Sequence, residues 1–108
     1  MANTFKLKTK ASVGITTTSV YVVPSSTTTV VIGITASNVS GNNINVGIGI
    51  TRASADDIHL MKDVPIPQGS SFEFMSGNKV VLETTDTITA KSDVASSLDV
   101  SLTIMEKT

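Results

Sequence analysis

Residues Ile44, Val46, Ile48 and Ile50 take alternate positions in the segment GNNINVGIGI (41–50), with Asn45, Gly47 and Gly49 between them. A period of two predicts a strand with one apolar face, and here the opposite face is almost bare. Similar segments recur along the chain. Phe5 to Lys10 alternates apolar with basic residues and reads as an exposed edge strand whose lysines blunt edge-to-edge pairing. Ser19 to Val23 is a short strand stopped by Pro24, with Ser25 and Ser26 in the turn. Thr28 to Ser37 and Ile44 to Arg52 are separated by turn residues Asn38 to Asn43, and together they read as a hairpin.

The central part is less regular. Ala53 to Asp57 reads as a loop, and in the strand that follows Ile58, Leu60 and, after a bulge, Val64 are expected to face inward. Val64 to Gly69 contains two prolines, which cannot donate to a central ladder, and reads as a crossing segment. Ser71 to Met75 puts Phe72 and Phe74 on one face, and Ser76-Gly77-Asn78 turns the chain. Lys79 to Glu83, Thr87 to Lys91 and Ser97 to Met105 complete the set. The predicted core of this half is Phe72, Phe74, Val80, Leu82, Leu98, Val100, Leu102 and Ile104. About eight short, mainly antiparallel strands with no 3.6-residue period predict an all-β domain, a jelly-roll-like β-sandwich, with a small β-barrel as the alternative.

Composition agrees with that class. Thr and Ser contribute 30 of 108 residues, which with plentiful Val and Ile favours pleated sheet over helix. The length predicts a single domain, residues 1–108, with 1–11 as a basic N-terminal edge strand or arm. There is no cysteine, so disulfides and thiolate metal sites are excluded. The N-terminal residues lack the apolar core of a signal peptide and no apolar run is long enough to span a bilayer as a helix, so a soluble, unprocessed chain with no membrane partner is expected.

Charge is unevenly distributed. Residues 1–55 hold no acid and carry Lys6, Lys8, Lys10 and Arg52, whereas residues 56–108 hold all nine acids and four lysines. Either the strands of the two halves intermix and cancel the asymmetry in space, or the basic edge meets the acidic surface of a neighbouring copy or another protein.

Candidate chemistry is sparse. His59 is the single histidine, with Asp57 on the same strand face and Asp63 nearby. A partly exposed histidine beside a solvated acid is the expected arrangement, because no serine sits in a nucleophile-elbow motif and no metal-ligand spacing is present. The GIG at 47–49 is neither a dinucleotide fingerprint nor a phosphate loop, since no helix follows it. With pI ≈ 5.6 and one phenylalanine among the N-terminal lysines, nucleic-acid binding is not expected. Asn38-Val39-Ser40 matches the glycosylation pattern but has no signal peptide to accompany it. No catalytic residue, metal or cofactor is predicted, and the chain is read as a non-enzyme.

Three elements of the second half carry a resemblance: Pro65-Ile66-Pro67-Gln68-Gly69-Ser70-Ser71, Val80 to Ile88 and Ser96 to Glu106. With the opening segment SVYVVPSSTTTVVIGITASNVS they resemble small virion structural proteins of tailed bacteriophages, over most of the chain from about Ser19 onward. Family sequences carry Ala-Gly after the second proline and Glu-Ala-Gly-Asp before the isoleucine; Gln68 and Thr84-Thr85-Asp86 depart from that pattern. The resemblance implies a non-enzymatic sandwich that oligomerises on a particle assembled in the host cytoplasm. Its most direct form is a capsid decoration (cement) protein contacting the major capsid protein, with a neck, tail or fibre component as the alternative. A carbohydrate- or host-surface-binding module is the second alternative, disfavoured because Tyr21, Phe5, Phe72 and Phe74 are few and mostly at core-facing positions.

Interface candidates follow from both lines of reasoning. Lys6, Lys8 and Lys10 are expected at intersubunit or particle contacts. The bare Asn45, Gly47 and Gly49 face calls for a close approach by another backbone, at a homo-oligomer interface expected to be trimeric by analogy with decoration proteins. A bulged or twisted strand in which glycine relieves strain is the competing explanation.

Overall fold

The computed structural model describes residues 3–52, 56–74 and 79–108, and for Phe74 the backbone alone. The expected loop at Ala53 to Ala55, the strand end at Met75, the turn at Ser76-Gly77-Asn78 and the Phe74 side chain lie outside the described residues. The described residues form nine strands and no helix: β1 (Asn3–Val13), β2 (Thr18–Val22), β3 (Thr28–Asn38), β4 (Ile44–Thr51), β5 (Ile58–Ile66), β6 (Ser71–Phe74), β7 (Val80–Leu82), β8 (Thr87–Ser92) and β9 (Leu98–Lys107).

The strands form two antiparallel sheets. Sheet A runs β1-β9-β3-β6, with β7 also pairing β3, and sheet B runs β2-β8-β4-β5. β6 pairs with Ile34 to Ser37 of β3 and β7 with Thr29 to Val31, so the two lie end to end along one edge like a single interrupted strand. Counted that way, eight strands are divided between two four-stranded sheets in jelly-roll order, with only β4 and β5 consecutive in one sheet, an open sandwich and not a closed barrel.

The expected hairpin between β3 and β4 does not form. β3 pairs β9, β6 and β7 in sheet A, whereas β4 pairs β5 and β8 in sheet B. Both strands carry the same alternation because each buries one face against the shared core, and the connection crosses between sheets instead of folding back. Asn38 anchors that crossing. It is 4% exposed, its Nδ2 donates to the Asn42 and Ile66 carbonyls, and its Oδ1 accepts from the Ser40 amide and hydroxyl. The amide nitrogen that a glycan would need is therefore committed to the fold.

Alternation places the core correctly on the central strands. Ile44, Val46, Ile48 and Ile50 of β4 and Leu98, Val100, Leu102 and Ile104 of β9 are all buried, Leu82 is buried and Val80 packs partly against them. Phe72 departs from its predicted core position. Its register opposite Ala36 gives it the inner face, but β6 is a sheet edge and the ring remains 38% exposed. Ile58 is also exposed, while Met61 is buried in its place. The cause is two register shifts in the β4–β5 pairing, between Val46/Ile48 and Ile48/Gly49, where β5 spends extra residues against β4. The segment read as a crossing continues β5 as far as Ile66. Pro65 is tolerated because β5 pairs with β4 alone and so is an edge strand.

The turn before β8 holds a strained residue. Asp86 accepts the Glu83 amide through Oδ2, and its own amide donates to the Glu83 carbonyl, while Thr85 between them has φ +72°. Branching at Cβ disfavours the left-handed region, which glycine enters without penalty. Thr85→Gly is expected to raise stability by about 0.5–1 kcal/mol, relief of strain outweighing the entropy of the freer unfolded chain. A urea midpoint that falls on this substitution would reject the account.

Candidate functional site

The six predicted interface residues separate into two places. Lys6, Lys8 and Lys10 lie on β1, an edge of sheet A, whereas Asn45, Gly47 and Gly49 lie on the outward face of β4 in sheet B. They do not form one patch.

On β1 the lysines share a face with the core. Lys6 is opposite Ile104, Lys8 opposite Leu102 and Lys10 opposite Val100, so their side chains point inward from the edge and reach past the lip of the sandwich. Inward-pointing charge is a known means of blocking edge pairing. Lys6 is also tied down: its Nζ lies 2.8 Å from Glu106 Oε1, and the Glu106 side chain is only 7% exposed. Tyr21 Oη from sheet B donates to Glu106 Oε2 at 2.5 Å and lies 2.8 Å from Thr29 Oγ1, so one buried polar cluster joins β1, β2, β3 and β9. Hydrogen bonds from Lys6 and then Tyr21 hold the Glu106 carboxyl below the usual range. Burial, reinforced by the adjacent carboxylate, pushes the Tyr21 hydroxyl up to about 12.

Part of the charge asymmetry is cancelled within the chain. Lys6 pairs with Glu106, and Arg52 pairs with Glu83 and Asp86. Lys8 and Lys10 form no ion pair among the described residues.

The opposite face of β1 is apolar and open. Phe5 is 70% exposed and Leu7 65% exposed. Phe5 is opposite Met105, Met105 opposite Val30, and Val30 opposite Val81, which makes one apolar row across β1, β9, β3 and β7 on the outward surface of sheet A. Of the four aromatic residues read as mostly core-facing, Phe5 lies outside and Tyr21 inside. Local alternation could show that Phe5 and the lysines take opposite faces, but not which face the sandwich covers.

On sheet B the bare face of β4 is the floor of a trough of about 420 Å³. Gly47 pairs with Lys91, and Gly49 with Thr89 on one side and His59 on the other. Walls are supplied by Asp57, His59, Lys62 and Asp63 from β5 and its approach, and by Thr89, Lys91 and Asp93 from β8 and its exit. Asp63 sits in the bulged part of β5 with φ +52°. The two glycines have different surroundings. A Cβ on Gly49 would lie 3.0 Å from the Ile58 carbonyl oxygen and 3.2 Å from Thr89 Oγ1, whereas one on Gly47 would meet only the Met61 carbonyl, at 3.6 Å. The bulged ladder therefore accounts for Gly49, whereas at Gly47 a Cβ would make only an ordinary van der Waals contact.

His59 is exposed on the wall. Asp57 Oδ1 accepts the Arg52 amide at 3.0 Å, and no hydrogen bond joins Asp57 to His59 among the described residues. Asp93 Oδ1 accepts the Asn45 amide at 2.9 Å, which holds the start of the floor strand against the end of β8. No group of three or more His, Cys, Asp or Glu residues suited to a metal occurs among the described residues. Comparison with protein-family models, curated proteins and solved structures finds no match for this chain.

Proposed function

We propose that this chain is a non-enzymatic structural protein of a tailed-phage virion, a decoration or cement protein that self-associates and stabilises the particle through contacts with the major capsid protein. The observation that carries the reading is the apolar row Phe5-Met105-Val30-Val81, with Leu7 beside it, open on the outer face of sheet A. Large apolar side chains aligned across four strands are what a protein partner covers, and solvent does not favour them. At about 4.8 Å per strand and about 3.4 Å per residue the whole outer face of sheet A measures on the order of 600 Å², against the ~800 Å² per partner of a standard interface, with the apolar row as its centre. Lys8 and Lys10, without ion pairs among the described residues, reach past the lip of the sandwich from the other face of the same edge strand and supply charge for steering.

The resemblance of the Pro65–Ser71, Val80–Ile88 and Ser96–Glu106 segments supports the virion setting, and the jelly-roll order is compatible with capsid proteins. A neck, tail or fibre position remains the second placement of the same interaction module.

The double variant Phe5→Asp with Leu7→Asp is expected to weaken self-association at least about tenfold, the equivalent of ~1.4 kcal/mol, with the thermal midpoint little changed. Sedimentation velocity over a concentration series measures the first effect, and cross-linking mass spectrometry on intact particles identifies the neighbour. A wild-type chain that stays monomeric and cross-links to no virion protein would reject the proposal.

A further inference from the structure

Gly47 is the residue the isolated chain does not explain. Glycine inside a strand costs stability, nothing approaches its missing Cβ closer than 3.6 Å, and the chain uses β-branched residues freely at comparable positions elsewhere. Its absent side chain gives the sheet B trough its depth. Gly47 is thus a floor kept low for an occupant.

The chemistry of the walls narrows that occupant. Asp57, Lys62 and Asp63 stand on the β5 wall and Lys91 and Asp93 on the β8 wall, so both signs of charge are present on each side of the floor. A polyanion would meet three carboxylates and a polycation two ammoniums, which disfavours both. β4 is paired on both sides, by β5 and β8, so an extended peptide has no free ladder to join there. A neutral ligand rich in hydroxyl groups fits these walls, and since no Phe, Tyr or Trp among the described residues lines the trough it would be held by hydrogen bonds and not by ring stacking. Each hydroxyl can donate to a carboxylate and accept from an ammonium, and the C–H face of a sugar ring can rest on a floor with no side chain. Asp57 and Asp93 each use one oxygen on a backbone amide, which orients the carboxylate and leaves a second oxygen as acceptor. The exposed Ile58 adds an apolar strip to the wall. The volume falls within the range of roughly 300–1,000 Å³ typical of small-ligand sites.

We propose that the sheet B trough is a binding site for a short neutral oligosaccharide, seated on Gly47 and hydrogen-bonded by the wall carboxylates and ammoniums. It lies on the opposite sheet from the apolar row, so it stands or fails independently of the self-association described above.

The test is a titration of the full ¹⁵N-labelled chain with maltotriose, cellotriose, mannotriose and tri-N-acetylchitotriose, each to about 10 mM, because weak sugar sites have millimolar dissociation constants. At least one sugar is expected to shift the Gly47 and Gly49 amides saturably. Gly47→Leu should weaken that binding at least about tenfold, while Leu7→Asp leaves it unchanged. Lys91→Ala, which removes only an exposed wall ammonium, serves as the second variant and should weaken binding severalfold even if Gly47→Leu fails to fold. Four results would overturn the proposal: no saturable shift with any of the sugars, undiminished binding in both trough variants, an equal response to trialanine, or trough signals that move on dilution of the protein alone. The last would assign the trough to a second copy of the chain.

Discussion

Truncating Leu102 to alanine is expected to cost about 2–5 kcal/mol, a large part of the total stability of a domain this size. Leu102 is fully buried at the middle of β9, the strand that holds β1 on one side and β3 on the other. Its register partners are Lys8 at the edge and Ile34 in the core, and its inward side chain fills the space between the two sheets. A cavity there is bounded by strands paired in both sheets, so little collapse can offset the lost contacts. The control is Val81→Ala, a 61% exposed position on the outer face, where the change should stay within about 0.5 kcal/mol. Urea unfolding checks both, with the slope against denaturant unchanged. A Leu102→Ala variant within 0.5 kcal/mol of wild type, by the same measure, would mean that β9 presents its other face to the core.

The second large effect is expected at Glu106. Its carboxylate is held in charged form by Lys6 and Tyr21, so its folded pKa lies below the unfolded value of about 4.3. The stability this contributes is fully present above that value and is lost as pH falls towards the depressed folded pKa. Tyr21 works in the opposite sense. Its pKa is raised to about 12, so its contribution is complete below about pH 10 and is lost between there and about pH 12. Glu106→Gln keeps an acceptor for the Tyr21 hydroxyl and removes the charge. We expect a loss of about 1–3 kcal/mol at neutral pH, together with a shallower decline of stability on the acid side. Lys6 is 42% exposed, so water can solvate its ammonium, and the larger share of the loss comes from the buried carboxylate end. Thermal midpoints of both proteins between pH 3 and 11 provide the check. An acid flank of identical slope in Glu106→Gln would show that the pH dependence comes from other carboxylates.

The chain sequence carries no local signal for this Glu106 cluster. Tyr21, Thr29, Lys6 and Glu106 lie on four strands, and Tyr21 and Glu106 are separated by 85 positions. The one hint is the position of Glu106 itself, an acid where the β9 alternation calls for an apolar residue, which implies a buried partner. The trough is a similar case. Its floor was legible, because Asn45, Gly47 and Gly49 left one face of a strongly apolar strand bare. Its walls were not, because the β5 bulges that raise Lys62 and Asp63 beside Gly47 depend on which strand β5 pairs with.

What the sequence determined by itself is the class of element and the two faces of each regular strand. Successive side chains point to opposite sides of a pleat, so a strand with one covered face must write its apolar residues at alternate positions, as β4 and β9 do. Tertiary structure alone decided the partners. The same alternation in β3 and β4 is satisfied by a hairpin or by two strands facing each other across a core, and the pairing with β9 and β8 chose the second. It also decided which inward faces are covered. β1 and β6 are edges, so Lys6, Lys8, Lys10 and Phe72 point to the core side of sheet A yet remain wholly or partly in solvent, because burial depends on neighbours far away in the chain while alternation is local.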